Sequence, residues 1–151
     1  MTTTERRETP ALSRRQVEIV RESFAALEPI RETAATLFYA RLFELAPEVR
    51  PLFSRDLSAQ GMKLMAALAF VVRNLDRIEA VRPEITALSL RHVGYGATGS
   101  HYSAVGEALL WTLEQGLGDR FTAGVREAWA AAYAMLAETM ISVARTSDPA
   151  A

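Results

Sequence analysis

The sequence predicts an all-α protein, and three observations carry the prediction. Apolar residues recur at spacings of three and four in every long stretch, the period of a helix with one buried face. Nothing alternates at period two. No Asn-Gly or Asp-Gly pair stands between apolar runs to turn a hairpin.

The helices follow in order. Ser13-Arg-Arg-Gln16 reads as a capping box, the serine covering one free amide while the glutamine reaches back. Val17, Val20, Phe24 and Leu27 form the inner stripe that follows. Pro29 marks the next start, and a helix carrying Ile30, Ala34, Leu37, Phe38 and Leu42 inward is expected to about Leu45. Pro47 opens a short turn that ends at Pro51-Leu-Phe53. After the polar link Ser54-Arg-Asp, Ser58 is the expected cap of a helix reaching about Asn74. Its stripe is Gln60, Leu64, Ala67, Leu68 and Val71. Pro83 suits the first turn of a helix that ends near His92, with Gly94, Gly96 and Gly99 beyond it. Ser100 is expected to cap a helix through Leu113, stopped by Gly116 and Gly118. A last helix runs from Thr122 to about Val143, with Val125, Trp129, Ala132, Tyr133, Leu136 and Met140 inward. No internal repeat occurs.

Composition narrows the function. A chain of 151 residues that is 50% hydrophobic makes one domain with a substantial core. A net charge of -1 gives no electrostatic basis for binding nucleic acid. The absence of cysteine removes disulfides, thiolate ligands and iron–sulfur clusters. No signal segment opens the chain and no apolar run reaches membrane-spanning length, so a cytoplasmic location without a membrane partner is expected.

Few polar residues interrupt the apolar stripes, and these are the candidates for chemistry. His92, one of two histidines, closes the stretch Ile85-Thr-Ala-Leu88-Ser-Leu-Arg-His92. Position alone fits a hydrogen-bonded core histidine. A ring placed beyond Ile85 and Leu88 also needs an acceptor for its N–H, and the Leu88 carbonyl or the Ser89 hydroxyl can supply one. Either bond would set the tautomer and leave the other nitrogen for a metal. Gln60 heads an apolar stripe, where an exposed helix-start glutamine is the plainer reading. Tyr39 lies among Leu37, Phe38, Leu42 and Phe43, so its hydroxyl needs a buried partner. Phe53 by default fills the core, and Lys63, the only lysine, is by default solvated. His101 is expected to be exposed or to cap its helix.

The pieces Leu37-Phe-Tyr-Ala-Arg-Leu-Phe43, Pro47-Glu-Val-Arg-Pro-Leu-Phe53, Gln60 with Leu64, Leu88-x-x-x-His92, His101-Tyr102-x-x-Val105-Gly106 and Ala128-Trp129-x-x-x-Tyr133 resemble the globins. They are most similar to bacterial single-domain globins, which are like the haem domain of flavohaemoglobins. The likeness runs from about Leu12 to Val143. It implies a three-on-three helical sandwich around a haem pocket, with a flexible tail over 1–10, the globin domain over 11–145 and a C-terminal tail over 146–151.

Carried over position by position, the resemblance implies haem b with His92 as the proximal iron ligand. Phe53 would wedge against the porphyrin, and Lys63 would meet a propionate. Tyr39 and Gln60 would be the distal pair that stabilises a bound ligand, with Leu64 above the iron. Leu88, Tyr102 and Val105 would line the proximal and rear walls. With no distal histidine, a five-coordinate ferrous iron is expected, taking oxygen, nitric oxide or carbon monoxide. Ferric iron is left with water, hydroxide or the Tyr39 phenolate.

Two donors on bound oxygen imply tight, slow binding, suited to a reaction with nitric oxide that gives nitrate. Non-enzymatic storage or buffering of oxygen, nitric oxide or sulfide is the alternative, and a haem-based sensor ranks last. Two departures from flavohaemoglobins matter. Their flavin and nicotinamide reductase follows the globin, whereas this sequence stops at Ala151, so an external reductase is expected. Their proximal histidine is paired with a tyrosine and a glutamate. Tyr102 is present, but counting from Trp129 places Ala144 at the glutamate position, which weakens any peroxidase-like reading.

Overall fold

Ser13 caps the first helix as its sequence dictates, accepting from the Gln16 amide at 3.0 Å while the Gln16 side chain accepts from the Ser13 amide at 3.0 Å. This helix, α1 (Arg14–Leu27), opens a chain whose computed structural model describes residues 12–53, 55–94 and 99–147. After it come α2 (Arg31–Leu45), α3 (Leu57–Arg73), α4 (Arg82–Gly94), α5 (Gly99–Leu117) and α6 (Ala123–Ser147). Short 3-10 turns at Glu28–Ile30, Pro47–Leu52, Leu75–Val81 and Gly118–Arg120 link them, and no strand occurs among the described residues. The expected tail over 1–10 and Gly96 lie outside those residues.

The helices stack in two layers, with α1, α3 and α4 over α2, α5 and α6. The closest packing is of α2 on α5, α4 on α6 and α1 on α6. Val20, Ala108, Leu113 and Ala128 are fully buried at the centre. Two polar contacts tie α1 to its neighbours, the first across the layers and the second within one. The Trp129 indole N–H donates to the Ser23 hydroxyl at 2.7 Å. Arg21 of α1 reaches the last carbonyls of α3, donating to Val72 at 3.2 Å and Arg73 at 2.8 Å, and also pairs with Asp76 at 3.0 Å. Those are carbonyls that a helix end leaves unpaired.

Several boundaries differ from expectation. Asp56, not Ser58, caps α3, because its carboxylate accepts from the Ser58 amide at 3.0 Å. Helix α5 begins at Gly99, so Ser100 lies inside its first turn, and it runs through Gly116 to Leu117. The stop is Gly118, whose φ of 58° is a left-handed conformation that glycine adopts without steric cost. Ile30 was expected to face inward but is 38% exposed, because the 3-10 turn before α2 carries it out of the helical register. The turn at Leu75–Val81 was not expected, since its tighter winding lacks the 3.6-residue period. No helix among the described residues is long and apolar enough to cross a membrane.

Candidate functional site

His92 sits in the last turns of α4, half-buried, with its Nδ1 2.9 Å from the Leu88 carbonyl. A carbonyl only accepts, so Nδ1 carries a proton in this contact. Between the two acceptors that the sequence offered, the structure selects Leu88. The Ser89 hydroxyl is fully buried and donates to the Ile85 carbonyl at 2.8 Å. Ile85 is itself core, at 1% exposure, while Leu88 is half-buried against Tyr102, Ala137 and Met140.

Tyr39, on α2, is 4% exposed, and its hydroxyl donates to the Gln60 backbone carbonyl at 3.2 Å. Burial pushes this phenol up to about 12, so it is a neutral O–H donor throughout the physiological range. Gln60 and Leu64 are half-buried one turn apart on α3, and Lys63 is exposed. Phe53 closes the group from the turn before α3. Its ring meets Tyr39 and Phe43 edge-on, each at 5.4 Å between centroids, and Tyr39 stacks on Phe43 at 6.0 Å. Sequence reasoning gave no role to Arg50. Its guanidinium lies 5.1 Å from the centre of the Phe43 ring and donates to the Phe53 carbonyl at 3.4 Å. Its place three residues before Phe53 was the available signal.

Tyr102 is 8% exposed in a small cluster with Leu88, Tyr133, Leu136, Ala137, Met140 and Ile141. Its backbone carbonyl accepts from the Tyr133 hydroxyl at 2.6 Å, but its own hydroxyl is buried without a hydrogen-bond partner among the described residues. Burial raises the pKa of both phenols. The side chain of Ala144 lies outside the described residues. Val105 is half-buried against the main core. His101 is not exposed as expected. Its side chain is only 18% accessible, with Nε2 3.8 Å from Glu48 in the Pro47–Leu52 turn, a contact with no local sequence signal. The structure therefore joins Tyr39, Phe53 and Gln60 in one group and Leu88 and Tyr102 in another, with His92 hydrogen-bonded to Leu88.

The fold and site define an all-α, two-layer class of helical protein, with an imidazole bonded to a main-chain carbonyl and a buried phenol bonded to the main chain of a neighbouring helix. The globin family model matches residues 36–140, and the chain belongs to the globin family. Among curated relatives, the flavohemoprotein of Vibrio cholerae is 29% identical over 133 residues, covering 86% of this chain and 34% of the relative. That of Deinococcus radiodurans is 32% identical over 135 residues, covering 87% and 34%. The chain thus spans about a third of the length of these relatives.

Two solved structures superpose with TM-scores of 0.80. A bacterial globin from Campylobacter jejuni is 25% identical, covering 89% of this chain and 97% of its own. An engineered carbene transferase from Rhodothermus marinus, whose parent is a provisionally assigned nitric oxide dioxygenase, is 30% identical, covering 91% and 96%.

Family membership implies a haem cofactor. The residues present fit one. A porphyrin supplies four donors to its iron, so the protein need add only one imidazole presenting a lone pair, as neutral His92 does with its Nδ1 proton on Leu88. A bare metal ion would need more, and no group of three or more His, Cys, Asp or Glu residues suited to one occurs among the described residues.

Proposed function

We propose that this globin, over residues 11–145, binds oxygen tightly at a five-coordinate ferrous haem b and supports nitric oxide dioxygenation with an external reductase in the cytoplasm. The observation that carries this reading is Tyr39, a buried and protonated phenol that meets α3 at Gln60. Haem, when bound, supplies an iron that takes oxygen, nitric oxide or carbon monoxide and shifts electron density onto the ligand's outer atom.

The chain's own residues do the rest. His92, its ring oriented by the Leu88 carbonyl, would hold the iron. Phe53, packed against Tyr39 and Phe43, would lie against the porphyrin. Lys63, exposed on α3, would neutralise a propionate, and Leu64 would crowd the ligand and exclude water. Leu88, Tyr102 and Val105 would form the walls behind. Tyr39 would donate its O–H, and Gln60 its amide N–H, to a bound ligand. In a dry pocket each such bond is worth roughly 1–3 kcal/mol, and about 1.4 kcal/mol is tenfold in affinity. Retention that tight suits a ligand consumed in place better than one delivered elsewhere.

The Tyr102 hydroxyl, without a hydrogen-bond partner among the described residues, favours a second reading, storage without turnover. Nitric oxide consumption by the haem-loaded chain in air, with a flavin reductase and nicotinamide added, separates the two. Sustained consumption that needs the reductase supports dioxygenation. A single stoichiometric burst leaves storage.

A further inference from the structure

The Tyr39 hydroxyl has one proton and, on the reading just proposed, two acceptors for it. One is the Gln60 carbonyl at 3.2 Å, and the other is the outer atom of a bound gas. We infer that the close approach of α2 and α3 at Ala35 and Gly61 decides this competition, which makes Gly61 a positioning residue for ligand release.

Three observations converge. Both residues are buried, and a Cβ built on Gly61 would stand 3.0 Å from the Ala35 Cβ, inside ordinary contact, and 3.9 Å from Cε2 of Tyr39. Ala35 lies one turn before Tyr39 on α2, and Gly61 follows Gln60 on α3, so the contact and the hydrogen bond share the same two turns. The bond is also long for an O–H donor, which ordinarily sits at about 2.7–2.8 Å from its acceptor. The hydroxyl is therefore held weakly on the carbonyl, at a distance set by the neighbouring backbone contact.

A methyl group at position 61 must push α3 off α2 by a few tenths of an ångström. The Gln60 carbonyl retreats with it, and the proton turns to the ligand. Removing the Ala35 methyl lets the helices close and has the opposite effect.

The test uses the full haem-loaded chain with carbon monoxide as probe, reading the C–O stretching frequency and the oxygen release rate. Gly61→Ala lowers the frequency and slows release about threefold, a fraction of the tenfold that a whole hydrogen bond commands. Ala35→Gly raises the frequency and speeds release, and the double variant returns both to the wild-type values. Should Gly61→Ala fail to fold, Ala35→Gly carries the test alone, since it introduces no clash. The positioning role is overturned if Tyr39→Phe moves the frequency while the helix-contact variants leave it unchanged or move it the other way. If Tyr39→Phe moves nothing, the distal reading beneath it fails instead.

Discussion

Trp129 donates its indole N–H to the Ser23 hydroxyl at 2.7 Å, joining α1 to α6 across 106 residues of sequence. The serine passes its own proton to the Ile19 carbonyl at 2.7 Å or the Val20 carbonyl at 3.1 Å, so the indole is satisfied without a water. Ser23→Ala leaves a buried N–H unpaired and should cost about 1–3 kcal/mol in urea unfolding. The double variant with Trp129→Phe should cost less than the sum of the singles, since the stranded donor is gone.

Arg21 should matter more than the carboxylate it pairs with. It donates to two carbonyls at the end of α3 as well as to Asp76, whose carboxyl it holds below the usual range. Arg21→Met should lower stability by about 1–2 kcal/mol and fray the last turn of α3 in amide exchange. Asp76→Asn, at an exposed partner, should change the unfolding midpoint far less.

Alkaline pH provides a test of the buried phenol. Tyr39 ionises near 10.0 when unfolded and about 12 when folded, because burial disfavours the phenolate. Between those values the unfolded chain has released a proton that the folded chain keeps. This contribution is therefore fully present below pH 10 and is lost as pH rises towards 12. Urea midpoints from pH 8 to 11 should fall for the wild type and fall less steeply for Tyr39→Phe. Equal slopes would show that the hydroxyl is not held protonated by burial.

Release of the ligand should depend on the same group. Tyr39→Phe should speed oxygen release roughly five- to hundredfold in stopped flow, and Gln60→Ala less, since one buried donor is worth roughly 1–3 kcal/mol in a dry pocket. An unchanged rate in Tyr39→Phe would remove Tyr39 from the distal site.

Much of this was legible because local chemistry and tertiary structure agree. The Ser13 capping box forms as written, and Val20, Leu42 and Trp129 mark helix stripes that are buried. Where two local signals compete, sequence does not choose. Ser58 was expected to cap α3, but Asp56 is as good a cap by residue type, and only the folded chain shows its carboxylate on the Ser58 amide. Leu88 and Ser89 both offer an acceptor to His92, and only the folded chain shows the ring on the Leu88 carbonyl. The approach of Gly61 to Ala35 and of His101 to Glu48 joins distant segments, and no period or motif encodes it.

His92 bears the central claim. Because it is half-buried near the end of α4, His92→Ala should keep the helical far-ultraviolet signal while losing haem affinity. The most direct measurement is the absorption spectrum of the hemin-reconstituted chain in ferric, dithionite-reduced and carbon-monoxide forms. The expected result is one broad visible band on reduction, converting with carbon monoxide to two bands beneath an intense Soret peak, all lost in His92→Ala. Two sharp bands in the reduced form would mean an internal sixth ligand, and no haem band after reconstitution would contradict the account outright.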